Sequence, residues 1–199
     1  MHTDLRDDIS SLIFIEELDR LKCVMRRSFL YDNSRLENSA EHSWHLATAV
    51  LASAELSNEP VDMARALKMA LIHDVVEIDA GDTFVYDQHA RADKQARENL
   101  AAQRLFGLLP APRGPELRAL WDGYERQACA ESRFVSALDR FLPLNANFKT
   151  QGRSWKQHGV RKRQVVDVNC KIANGSRRLW AYAESLINEA VRLGYLADE

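Results

Sequence analysis

Three places in the chain hold side chains of the kind that bind divalent cations: Glu41-His42, His73-Asp74 followed by Glu77, and Asp139 flanked by Leu138 and Phe141. The middle one is the most concentrated. In the apolar run Ala70-Leu71-Ile72-His73-Asp74-Val75-Val76-Glu77, helical geometry places Glu77 one turn beyond His73 and Asp74, so all three can share one side. Burying three ionisable groups among Leu71, Ile72, Val75 and Val76 is costly unless their charge is compensated, and a divalent cation would do that. A solvated helix face carrying the same His-Asp pair is the alternative, and the pair alone does not decide between them. His42, His73, Asp74 and Asp139 would together offer imidazole nitrogens and carboxylates, a mixed set that suits Mn, Fe, Co, Zn or Mg and selects none of them. A helical bundle can bring one or two such ligands from each of several helices to one point in its core, with water completing the shell.

The rest of the chain supplies such helices. Only 8 Gly and 5 Pro punctuate it, and most segments between them space apolar residues by three and four rather than by two. The expectation is an all-α, single-domain helical bundle. Ile9, Leu12, Ile13, Ile15, Leu18, Leu21 and Val24 trace the stripe of a first helix over about 9–25. Residues 26–35 lose the period, gain turn formers and read as a loop. A second helix begins at Asn38 or Ser39, where Asn38 and Glu41 have the spacing of a capping box, and runs to about 56. Pro60 suits the first turn of a third helix, about 61–78, which carries His73-Asp74. Asp79-Ala80-Gly81-Asp82-Thr83 has the composition of a helix exit. Further helices are expected over about 87–106, 116–127, 131–148, 156–172 and 175–193, with Asp139 on the sixth helix of the chain and Leu108 to Pro115 as the strongest break.

Composition removes several classes. At 199 residues the chain can bury one sizeable core, and 46% hydrophobic with 28% charged residues is a globular balance. A net charge of -2 gives no nucleic-acid signature, and Arg161-Lys162-Arg163 alone reads as a solvated face. Cys23, Cys129 and Cys170 lack any CxxC spacing and read as reduced core thiols. An acidic start without a long apolar run argues against a signal peptide, no stretch approaches a membrane span, and the cytoplasm is the default. His45 reads as a surface or supporting histidine, Glu37 and Glu41 as capping or supporting groups, and Trp44, Trp121, Trp155 and Trp180 as core or interface aromatics.

Taken with their neighbours, the candidate ligands resemble the signature of the HD-domain phosphohydrolases: a His, a His-Asp pair and a distant Asp on one divalent metal. Arg35-Leu36-Glu37-Asn38-Ser39-Ala40-Glu41-His42-Ser43 is similar to the first-ligand segment of the 5'-deoxynucleotidase-like branch. His73 through Asp82 resembles that branch's second segment, with its Glu three after the Asp and its Gly-Asp at the helix exit. Leu21-Lys22-Cys23-Val24-Met25-Arg26 resembles the segment whose arginine lies at the substrate phosphate, and Ala137-Leu138-Asp139-Arg140 fits the last ligand. The resemblance spans roughly residues 18 to 145 in order. Where members of that branch follow the arginine with an aromatic residue, this chain has Arg27.

The resemblance implies one divalent metal (Mn, Co, Mg, Zn or Fe) held by His42, His73, Asp74 and Asp139. It implies hydrolysis of a phosphomonoester, with a (deoxy)nucleoside 5'-monophosphate as the leading substrate, by attack of a metal-bound water. Glu77 would be the general acid or base, Asp82 would orient water or the leaving group, Arg26 would clamp phosphate oxygens and Arg27 would face the substrate. The alternatives are cleavage of a phosphodiester, pyrophosphate or nucleoside triphosphate, and a metal-stabilised module that binds a nucleotide without turnover. The expected partners are a small phosphorylated molecule and a second copy of the chain, with neither nucleic acid nor membrane. The homodimer is supported by the aromatic C-terminal helix around Leu179, Trp180, Tyr182, Leu186 and Ile187.

Overall fold

Asn38 closes a capping box at the start of the second helix: its side chain accepts from the Glu41 amide at 2.9 Å, and the Glu41 carboxylate accepts from the Asn38 amide at 3.2 Å. Two orphan donors are satisfied at once, which fixes where α2 (Ser39–Ala52) begins. The computed structural model describes residues 5–87, 89–90 and 92–199, and the side chains from Ile9 onward. The architecture is all-α apart from one small hairpin: α1 (Leu5–Asp19), β1 (Met25–Phe29), β2 (Leu36–Asn38), α2, α3 (Met63–Ile72), α4 (Glu77–Ala80), α5 (Lys94–Phe106), α6 (Arg113–Glu125), α7 (Ala130–Lys149), α8 (Arg153–Gln157), α9 (Lys162–Asn169), α10 (Ile172–Gly175) and α11 (Arg177–Arg192).

The hairpin replaces the loop expected over 26–35. β1 and β2 are antiparallel, pairing Met25 with Asn38 and Phe29 with Leu36, and the register is irregular between these pairs. The turn is made by Asn33, at φ 64, and by Asp32, whose carboxylate accepts from the amide and hydroxyl of Ser34 at 2.9 and 2.7 Å. No alternation of apolar residues announces these strands, because the inward positions of β1 are Arg26 and Ser28 rather than apolar ones. Irregularities of this kind re-aim side chains, and both Arg26 and Arg27 border the cavity described below.

Three helical expectations are also corrected. The first helix stops at Asp19 and a single 3-10 turn, Arg20–Cys23, leads to extended Val24, so the stripe is only partly used: Phe14 and Leu21 are buried while Ile9, Leu12, Ile13 and Ile15 are exposed. The expected 87–106 helix begins at Lys94; Gln88 and Arg91 lie outside the described residues. The expected 156–172 helix is broken into α8, α9 and α10, with Gly159 at φ 61 taking the left-handed turn between the first two. In α11, Leu179, Leu186 and Ile187 are buried in the chain's own core, which leaves Tyr182 as the exposed aromatic of the face expected at a dimer contact. Trp44 is exposed as well, at 68%, whereas Trp121 and Trp155 are core residues.

The helix that carries His73-Asp74 is not continuous to residue 78. Beyond Ile72 the chain tightens: the amides of Val75, Glu77 and Ile78 donate three residues back, to Ile72, Asp74 and Val75. Glu77 therefore does not bond the His73 carbonyl, which would be its partner in an α-helix, and the Trp121 indole N–H of α6 donates to that carbonyl at 3.2 Å. Two apolar cores meet at this segment. One gathers Leu46 and Val50 of α2, Met69 of α3, Phe134 and Leu138 of α7, Ile172 and Ile187. The other gathers Phe14, Leu21, Val75, Val76, Leu105, Phe106 and Trp121, and Ile72 packs against both. Trp121→Phe removes the donor and part of a buried ring, so it should cost at least about 1 to 3 kcal/mol in urea unfolding, the penalty for the unsatisfied carbonyl, with a cavity penalty added.

Candidate metal centre and active site

The capping box places Ser39 and His42 one turn apart on α2, both fully buried. Ser39 Oγ donates to Glu77 Oε2 at 2.6 Å across to α4. His42 Nε2 lies 2.9 Å from Asp139 Oδ1 of α7. His73 sits at the end of α3, and its Nδ1 is 2.9 Å from the Ala70 carbonyl. A carbonyl only accepts, so Nδ1 carries a proton and the tautomer is set, leaving Nε2 as the free donor atom of the neutral ring. Nε2 points at carboxylates, 3.1 Å from Asp74 Oδ1 and 3.7 Å from Asp139 Oδ1. Two lone-pair atoms that close repel unless a proton or a metal cation stands between them. Without a metal, burial opposes charge on the His73 imidazole, but Asp74 and Asp139 overcome it and push the pKa well above its usual range. Tyr124 OH of α6 donates to Asp139 Oδ2 at 3.0 Å and its ring meets that of His73 edge-on, which orients both.

Single nitrogen or oxygen atoms from His42, His73 and Asp139 lie within 4.8 Å of one another, a spacing that could hold a metal ion. The donor set fits a divalent cation, and an orphaned buried atom agrees: His73 Nε2 has no hydrogen-bond partner, while His42 Nδ1, also unpartnered, faces Glu37 Oε2 at 3.4 Å. Asp74 borders this trio and is shared with Arg26, whose guanidinium donates to its Oδ2 at 2.7 Å. Arg26 also lies 3.6 Å from Glu37 and 3.8 Å from Asp82. Carboxylates outnumber cations in this cluster, and the titrations follow. Burial opposes charge on Asp74, but His73 and Arg26 overcome it and take its pKa down to about 2. Burial likewise works against Asp139, but the neighbouring His42 and His73 hold it well below the usual carboxylate range. Glu77 goes the other way: burial, joined by the charge of Asp74, pushes it well up.

A cavity of about 180 Å³ opens beside the cluster. Asp74, Glu77, Asp82, Asp139, Arg26 and Arg27 line it together with Phe84, Tyr86, Arg140, Val168 and Asn169. The four candidate ligands, Glu77, Asp82, Arg26 and Arg27 thus come to one place. His45 does not join them; it packs against Tyr31 with ring centroids 6.1 Å apart. Glu41 is the capping residue it was read as, and it also pairs with Arg35 at 2.6 Å. Tyr124, Lys94 and Arg140 escape a reading by motif, because nothing local in Asp122-Gly123-Tyr124 or Asp93-Lys94-Gln95 marks a side chain whose partners come from other helices. Ser39 was legible only as a helix start.

A carboxyl whose pKa is raised on folding stabilises the fold most below its unfolded pKa, near 4.5, and loses that contribution as pH rises toward the folded value. In chelated protein, Glu77→Gln should therefore raise the thermal midpoint at about pH 8, and the gain should shrink as pH falls toward the unfolded pKa. An unchanged or lowered midpoint at the higher pH would show that Glu77 is not held protonated by its surroundings.

The comparisons with known proteins agree with this geometry. A family model described as HD domain matches residues 18–180. The chain is 34% identical over 130 residues to the 5'-deoxynucleotidase HDDC2 of Bos taurus, covering 65% of this chain and 62% of that one. To the Homo sapiens protein of the same name it is 32% identical, covering 66% and 63%. The chain thus spans less than two thirds of the length of these relatives. A crystal structure of a predicted metal-dependent phosphohydrolase from Magnetospirillum magnetotacticum MS-1 is 50% identical with a TM-score of 0.91, covering 96% of each chain. A protein from Pyrococcus horikoshii OT3, 22% identical with a TM-score of 0.61, covering 92% of this chain and 99% of that one, shares the fold. The chain belongs to the HD domain family.

Proposed function

We propose that the chain, acting as one HD domain over residues 1–199, hydrolyses a phosphomonoester, with a (deoxy)nucleoside 5'-monophosphate as substrate and one divalent cation as cofactor. The observation that carries this reading is His73 Nε2: buried, without a hydrogen-bond partner, and facing the carboxylates of Asp74 and Asp139. His42, His73 and Asp139, with Asp74 beside them, would hold the cation. When bound, it supplies Lewis acidity toward the phosphoryl oxygens and lowers the pKa of a water molecule. Support for the substrate comes from the relatives named 5'-deoxynucleotidase and the neighbour named as a metal-dependent phosphohydrolase.

The chain's own residues have separate tasks. Ser39 Oγ donates to Oε2 of Glu77, and burial keeps a proton on that carboxyl, ready for the oxygen of the departing nucleoside. Arg26 is held between Asp74, Glu37 and Asp82, so it enters the cavity with its orientation fixed and presents its charge to the phosphate. Asp82, raised by burial against the pull of Arg26, orients water or the leaving group. Arg27 stands at the cavity wall beside them. A homodimer in the cytoplasm belongs to the same reading, with the exposed Ile9, Leu12 and Ile15 of α1 available for a contact.

The test is a nucleotide panel on chelated protein with Mg, Mn, Co and Zn restored separately, measuring phosphate, pyrophosphate and nucleoside. Nucleoside and phosphate in equal amounts from a 5'-monophosphate are expected; pyrophosphate release or diester cleavage would replace the reading with another phosphoester. Glu77→Gln should lower turnover roughly 10²- to 10⁴-fold, the range of a general acid or base. Asp139→Ala should lower metal content per chain, about 10- to 100-fold in affinity or more.

A further inference from the structure

The cavity's cations fall into two groups. Arg26 is committed to carboxylates at 2.7, 3.6 and 3.8 Å, and Lys94 is paired with Glu98 at 3.0 Å. Arg140 and Arg27 line the same cavity and enter no ion pair among the described residues. Arg140 is the more telling. Its guanidinium is partly buried, its Nε is buried without any partner, and its one hydrogen bond is to the Val168 carbonyl at 3.5 Å, beyond the usual range. A guanidinium withdrawn from water without a counter-charge is costly, and an anionic ligand would remove that cost. It lines the cavity with Phe84, Tyr86 and Asn169, and the residue before it in the chain is Asp139, whose carboxylate faces His42 and His73. The cavity therefore holds, beside the Arg26 that the carboxylates claim, two arginines that no carboxylate pairs with among the described residues.

We propose that Arg140, with Arg27, receives a second anionic group on the substrate, a phosphate or a carboxylate, so that the preferred phosphomonoester carries two anions. This rests on the phosphohydrolase reading above. The scissile phosphate belongs at the histidine cluster beside Arg26, and the second anion goes to Arg140, whose planar guanidinium can bind two oxygens of either group at once. Arg27 serves the same end: an arginine in that position adds charge to the wall that an aromatic residue would not.

Two ligand pairs separate the sources of the second anion: deoxyadenosine 3',5'-bisphosphate against deoxyadenosine 5'-monophosphate, and 3-phosphoglycerate against glycerol 3-phosphate. Affinities are measured by calorimetry on the full chain after chelation, and kcat/KM on the protein as purified. In at least one pair the doubly anionic member should bind roughly tenfold more tightly, the value of one good charge-assisted contact. Arg140→Gln should bring that ratio to about one, while Arg140→Lys, which keeps the charge, should retain part of it. Circular dichroism checks that both variants fold. Equal affinities within both pairs, an undiminished ratio in Arg140→Gln, or equal loss in the Gln and Lys variants would each overturn the proposal, as would no binding at all. If the ratio holds in binding but none of the four is hydrolysed, the phosphohydrolase reading fails and the anion site stands.

Discussion

Asp74 is the joint on which the site turns. One oxygen accepts from Arg26 of β1 at 2.7 Å and the other lies 3.1 Å from His73 Nε2, so a single carboxylate links the hairpin to the end of α3. Both partners are cationic or can become so, and their combined pull overcomes the burial that would otherwise keep Asp74 protonated. The same excess of negative charge explains why Glu77 responds in the opposite sense, since it shares the burial and is repelled by Asp74. One interaction thus divides the nearby carboxyls into a charged ligand-like member and a protonated one. Proton chemistry needs such a division.

The backbone around Asp74 is shaped to the same end. Between Ile72 and Glu77 the chain exchanges α-helical for 3-10 hydrogen bonds, and the carbonyl this frees is taken by Trp121. Tyr124, one turn later on α6, holds Asp139. A single helix that contributes no ligand therefore steadies both His73 and Asp139. Its hold is rigid because Trp121 and Tyr124 belong to the two apolar cores that meet at Ile72.

Much of this was legible in the sequence, for reasons that differ from residue to residue. The start of α2 could be read because capping is local: Asn38 and Glu41 settle it between themselves. His73-Asp74 and Glu77 stood out because charged groups in an apolar run need an explanation. The hairpin was not legible, since its pattern is written in Arg26 and Ser28, and Arg26 is held inward by carboxylates elsewhere in the chain. Nor was the break after Ile72, because the residues there are compatible with an uninterrupted helix and the deciding partner is 48 positions away. Tyr124 and Arg140 escaped for the same reason: tertiary partners give a residue its role without leaving a local mark.

Ser39 and His42 occupy successive turns of one helix, and each reaches a different element, Glu77 on α4 and Asp139 on α7. The helix acts as a ruler with two marks. A shift or rotation of α2 as a rigid body displaces both marks together, so the proton-holding carboxyl and the candidate ligand cluster cannot lose their alignment independently. What reads locally as a cap at Asn38 is also the zero of that ruler.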